Sequence, residues 1–214
     1  MRKRDIVSVV NMLASRLGRN DEEPNIELAR RLASEENLAG IQEIIENLSG
    51  KDKKIRHDCI KVAYEIGELR PDLISPFAAR FIELLDSSDN RLVWGGMTAL
   101  STIADAASEA IMEHYGHIAK AMNAGSVITV DKAVLTLSKL AAANEDNNKA
   151  IFPILLRHLE SCRPKEIPQH SESVLLAVTA LNKEAFLKEL RAREQQLTEA
   201  QLRRVKKIYR TLDK

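Results

Sequence analysis

From Leu38 to Gly67 the chain reads LAGIQEIIENLSGKDKKIRHDCIKVAYEIG. Two helical stripes lie in this stretch. Ile41, Ile44, Ile45 and Leu48 recur at i, i+3, i+4 and i+7, and Ile55, Cys59, Ile60, Ala63 and Ile66 form a second stripe. Between them Ser49-Gly50-Lys51-Asp52 reads as a turn, with Gly50 suited to a left-handed C-cap and Asp52 to an N-cap. Neither helix hides its apolar stripe alone, so such a hairpin has to stack on others like it.

Others are present. Shifted by 37 residues, and by 37 again, Leu48 lands on Leu85 and Met122, Ile60 on Met97 and Val134, and Ile66 on Ile103 and Leu140. A further step carries Ile118 and Met122 onto Leu155 and Leu159, after which Arg163–Pro168 enlarges a loop and the step becomes 41, placing Val134, Leu137 and Leu140 on Leu175, Val178 and Leu181. Asp89 and Ser126 repeat the N-cap of Asp52, and Gly125 the glycine of Gly50. Pro24, Pro71, Pro76, Pro164 and Pro168 fall at helix starts or joints, whereas Pro153 is expected to kink a helix over 148–159 or to mark its first turn. Four repeats over 38–182 are therefore expected, with capping helices at 1–37 (helical patterns at 4–18 and 25–34) and at 183–214 (184–194 and 198–212). Thr198-Glu199-Ala200-Gln201 has the form of a capping box. The chain reads as a single all-α solenoid of about six helical hairpins.

Composition agrees. Of 214 residues, 44% are apolar and 29% charged, which supports a folded, continuous core; 4% aromatic content and 8 glycines speak against sandwiches and barrels. The formal charge is +1, but residues 1–110 carry 15 basic and 19 acidic side chains (−4) and the remainder 17 and 12 (+5). Much of that excess lies on the last helix, in Arg203, Arg204, Lys206, Lys207, Arg210 and Lys214, which reads as a solvated face or a surface for phosphate or acidic lipid. Two cysteines are too few for a disulfide framework. No apolar run reaches membrane-span length, and the basic start Met1-Arg2-Lys3-Arg4-Asp5 leads into no signal-peptide core, so no membrane insertion and a cytoplasmic location are expected.

Asp52, Ile55, Arg56, Cys59, Ala63, Ile66 and Gly67 resemble the second helix of a HEAT repeat. Later units keep the apolar skeleton (Leu92, Gly96, Leu100, Ile103; Ala133, Leu137, Leu140) but replace the arginine by Val93, Val130 and Ser171. The resemblance to HEAT and armadillo-like proteins implies a right-handed α-α superhelix whose second helices line a concave face. It also implies a non-catalytic scaffold for a protein or peptide partner. Candidate partner-binding residues on those helices are Lys54, His57, Lys61, Arg91, Trp94, Thr98, Asp131 and Lys132. Trp94, the one tryptophan, is either an interface anchor or a ring folded over the gap left by Gly95 and Gly96. The glycine pair costs roughly 2 kcal/mol against alanines. Close helix approach explains Gly96, and Gly95 favours a nearby ligand.

No P-loop, dinucleotide or nucleophile-elbow motif occurs, and neither a cofactor nor a metal site is expected. Glu113-His114-x-x-His117 is a metal half-site without a third ligand, and His158 with Cys162 is a weaker one. Trp94 and Asp131 superficially resemble the aromatic and carboxylate of HEAT-like alkylpurine DNA glycosylases, so nucleic-acid binding is the alternative reading. The near-neutral charge and the acidic Asp58, Asp131 and Glu172 speak against it.

Overall fold

The structure, a computed structural model, describes residues 8–213. Every regular element among them is helical. The expected helix at 4–18 begins outside the described residues; within them that segment is a 3-10 turn, Val9–Met12, followed by turns to Gly18. The chain packs as two compact units that divide after Ile111.

In the first unit α1 (Glu23–Ser34) leads to the hairpin of α2 (Leu38–Glu46) and α3 (Lys53–Leu69). The short α4 (Pro71–Ile74) connects to a second hairpin, α5 (Ala78–Glu83) with α6 (Asn90–Ile103), and α7 (Ser108–Met112) follows. The apolar stripes of α2 and α3 are buried throughout, from Ile41 and Ile44 to Ile60 and Ile66. Each fully buried aliphatic side chain contributes roughly 1.5–3 kcal/mol, so this stripe is what holds α3 against α1, α2 and α6.

The second unit begins with the hairpin of α8 (Tyr115–Ala124) and α9 (Val127–Ala143). It continues with α10 (Glu145–Ser161), α11 (Ile167–Val174), α12 (Lys183–Arg193) and α13 (Glu199–Leu212). α9 is its central element, packed on α8, α10 and α11.

The caps obey local chemistry. Asp52 accepts N–H bonds from Lys54 and Ile55, Asp89 accepts from Arg91, and Ser126 accepts from Thr129. These caps set the starts of α3, α6 and α9 at Lys53, Asn90 and Val127, the 37-residue spacing of the sequence. Thr198 and Gln201 exchange the two bonds of a capping box. Three expectations need correction. Gly50 and Gly125 have φ of −62° and −85° and are extended rather than left-handed. A side chain on Gly125 would instead strike Thr129 and the Ala121 carbonyl. Of the two readings of Pro153 the first-turn one is excluded, since Pro153 lies well inside α10, whose first turn is set earlier by Asn144, the acceptor of the Asn147 N–H. The stripe expected at Leu175, Val178 and Leu181 does not form, because α11 stops at Val174 and Leu181 is 82% exposed.

Candidate functional site

Lys54, His57 and Lys61 stand on α3, and Arg91, Trp94 and Thr98 on α6, the helix packed against it. Trp94 is half-buried. Its ring lies 6.0 Å from that of Tyr64 at 48°, and the Arg91 guanidinium carbon sits 5.9 Å from the Trp94 centroid. Gly95 permits this packing: a Cβ there would fall 2.6 Å from Ile60, so close helix approach accounts for both glycines and no ligand is needed to explain Gly95.

The charged neighbours differ in how far they are committed. Lys61 is buried, with its ammonium over the Tyr64 ring and ion pairs to Glu65 at 2.7 Å and Glu22 at 3.0 Å. Burial works to lower its pKa, but hydrogen bonds to Glu65 and Glu22 outweigh that and hold it above the usual lysine range. Thr98 is also buried, its hydroxyl donating to the Trp94 carbonyl at 2.7 Å. His57 meets Asp89 at 2.8 Å; although burial works to raise the Asp89 pKa, that contact and the Arg91 N–H bring it below the ordinary carboxylate value. Arg91 reaches Glu22 at 2.7 Å through Nη2, while its Nε is buried without a partner. Lys54 is exposed.

Of these residues Lys54, His57 and Arg91 border a polar hollow of about 260 Å³, lined also by Arg19, Glu22 and Asp58 among others. Its floor is fixed by Asp58, which accepts the Ser15 N–H and the Asn25 side-chain amide, each at 2.8 Å. The hydroxyl of Ser15, another lining residue, is buried and unpartnered. A hollow edged by a free ammonium and a guanidinium with an unused N–H is equipped to take a carboxylate.

Asp131 and Lys132 belong to α9 of the second unit, where Lys132 is half-buried. Asp131 is spent on a neighbour: it accepts from His170 Nε2 at 2.7 Å, and His170 Nδ1 faces His158 Nε2 at 2.9 Å. Cys162, four residues after His158, completes a cluster whose ligand atoms all lie within 4.8 Å of one another. Burial and the neighbouring His170 lower the His158 pKa to about 4, and burial raises the Cys162 thiol to about 11 against the charge of Arg193. The sequence offered a signal, since His158 and Cys162 share an i, i+4 spacing. The third member, His170, lies beyond the Pro164–Pro168 loop, which conceals the grouping. His114 is the N-cap of α8 and its carbonyl accepts the His117 and Ile118 N–H groups, so the two histidines share the first turn of that helix. The acidic residues that weighed against a nucleic-acid surface are all engaged: Asp58 and Asp131 as above, and Glu172 in a two-pronged pair with Arg204 of α13.

The second unit also holds an apolar hollow of about 690 Å³ between α10 and the segment after α11, bordered by Phe152, Pro153, Leu176 and Leu181. Premature termination of α11 creates it, which is why the periodic reading missed it.

No helix among the described residues is long and apolar enough to cross a membrane. No family model and no curated protein matches the chain. Solved structures do. An engineered protein matches over 97% of this chain and 96% of its own at 18% identity and a TM-score of 0.68. A designed armadillo repeat protein, solved in complex with the peptide (KR)4, matches over 94% and 98% at 12% identity and a TM-score of 0.67. The karyopherin Kap121p, solved bound to the SUMO protease Ulp1p, matches over 94% of this chain and 22% of its own, at 12% identity and a TM-score of 0.64. These likenesses, together with the all-helical hairpins, establish the fold as an armadillo/HEAT-like α-solenoid.

Proposed function

We propose that this chain is a non-catalytic, cytoplasmic scaffold that holds a protein or peptide segment against the Trp94 face of its first unit. The observation that carries the reading is the position of the one tryptophan: half-buried and braced by Tyr64 and by Arg91, which itself lines a hollow where the Arg91 Nε and the Ser15 hydroxyl lack partners. A ring fixed on one side presents its remaining surface at little entropic cost, the property of interface anchors. The segment that fits places an apolar side chain on Trp94 and a carboxylate between Lys54 and Arg91. Support also comes from the fold, since the designed armadillo protein holds a peptide and Kap121p holds a protein. The two unpaired buried thiols, Cys59 and Cys162, suit a reducing compartment.

The test is a peptide selected by display on the whole chain, with its affinity then measured calorimetrically. Trp94→Ala is expected to weaken binding by roughly 30-fold or more, the scale of an interface anchor. Lys54→Glu is expected to weaken it less, with a loss that shrinks as salt is added. Equal affinity of the selected peptide for wild type and Trp94→Ala would remove Trp94 from the interface.

A further inference from the structure

The second unit contains a group of side chains that peptide binding does not use. His158 stands in the last turn of α10, Cys162 follows that helix as its cap residue, and His170 projects from α11. Cys162 and His170 are buried, His170 completely. Two imidazoles and a thiol within 4.8 Å of one another form a mixed nitrogen–sulfur donor set of the kind that binds zinc.

We infer that His158, Cys162 and His170 bind a zinc ion, with Asp131 as the positioning residue behind His170. The decisive feature is the role of Asp131. Its carboxylate accepts the hydrogen bond of His170 Nε2–H at 2.7 Å, which fixes the tautomer and leaves the Nδ1 lone pair directed at His158. A carboxylate behind an imidazole in this way is the usual outer shell of a zinc histidine, and it raises the basicity of the ligating nitrogen. The main chain at the thiol is fixed as well, because Arg193 Nη2 donates to the Cys162 carbonyl at 2.7 Å.

The Nε2 proton of His158 bridges the two rings at 2.9 Å. Zinc–nitrogen bonds of about 2.0–2.1 Å in a tetrahedral shell set two nitrogens roughly 3.3 Å apart, so the rings separate by about 0.4 Å on binding. Protons balance. The Cys162 thiol releases its proton to solvent as the thiolate coordinates, and the His158 ring proton moves from Nε2 to Nδ1. His170 keeps its Nε2 proton, donated to the Asp131 carboxylate. Three protein ligands leave a fourth position for water, and a cavity of about 490 Å³ bordered by His158, Cys162 and Glu166 gives access to it.

The test uses the whole chain, stripped with a chelator and equilibrated with Zn2+ or with Co2+ as a spectroscopic substitute. One zinc per chain is expected, with X-ray absorption showing one sulfur at about 2.3 Å and nitrogen ligands at about 2.0–2.1 Å. The cobalt form is expected to show a thiolate-to-metal charge-transfer band that Cys162→Ser abolishes and Cys59→Ser preserves. Asp131→Asn is expected to weaken zinc binding about 10–100-fold while leaving the sulfur signal in place. His114→Ala is expected to change nothing. Wild-type protein that takes up no metal, a shell without sulfur, or binding lost in His114→Ala would each overturn the assignment. The wild-type absorption result stands whether or not any variant folds.

Discussion

α3 and α11 occupy the same station, the second helix of a hairpin, and they end very differently. α3 runs from Lys53 to Leu69 as one α-helix with Asp52 at its start and its apolar stripe buried to the end. α11 runs only from Ile167 to Val174, loosens into a 3-10 turn at Leu175–Ala177, and gives way to extended backbone at Val178. The sequence Leu175-Leu176-Ala177-Val178 is no poorer in apolar residues than the corresponding part of α3. What differs is competition for one carbonyl. The Ala177 carbonyl accepts side-chain amides from Asn148 at 2.7 Å and Asn182 at 3.2 Å, and the Asn182 side chain caps the Thr179 N–H. Satisfied in this way, the chain leaves the helix, since an amide pair supplies what the next turn would have supplied. Periodicity reports which face is apolar; it does not report where a buried amide will stop the helix.

The difference is most sharply tested at Arg193. This arginine is almost fully buried, and its guanidinium donates to the carbonyls of Leu159, Glu160 and Cys162 at 2.6–2.7 Å, closing the end of α10 just before the loop into α11. Arg193→Ala strips three charge-assisted bonds from buried carbonyls and is expected to cost about 3–5 kcal/mol. Denaturant unfolding checks this, and an effect below about 1 kcal/mol would mean that the carbonyls find other donors.

Next in size is Asn148→Ala, which removes the donor to the Ala177 and Ala141 carbonyls and the acceptor for Asn182. A loss of about 2–3 kcal/mol is expected. Amide exchange over 175–181 should also change, because the carbonyl that stopped α11 is partly released. Unchanged exchange there would place the cause of termination elsewhere.

The two helices also show how far the letters could be read. The hairpins, their 37-residue step and the caps Asp52, Asp89 and Ser126 were legible because each rests on local chemistry: apolar spacing sets the faces, and a short acceptor side chain satisfies the first amides. Gly95 was misread for want of a partner in view, since only the position of Ile60 on α3 explains it. The candidate surface was legible as a set of outward positions on second helices, but not in its state of engagement. Nothing in the sequence indicates that Lys61 is held by Glu22 or that Asp131 is given to His170. Such pairs join positions about 40 apart, where spacing within one helix carries no information.

The smallest expected effect tests the regular member of the pair. Asp52 Oδ1 accepts the N–H of Lys54 at 2.9 Å and of Ile55 at 3.3 Å, so one exposed side chain satisfies two of the amides that the start of α3 leaves open. Asp52→Ala is expected to cost about 1 kcal/mol, because water can replace the lost acceptor at an exposed helix end. Asp52→Asn keeps the acceptor and removes the charge from the positive end of the helix dipole, so only a few tenths of a kcal/mol should be lost. The pair of variants separates geometry from charge. Equal losses for Ala and Asn would make the cap electrostatic, and salt would then diminish both. No loss for either would mean that α3 is started by the burial of Ile55 and Cys59 alone, and the contrast with α11 would then lie in packing at both ends of the helix.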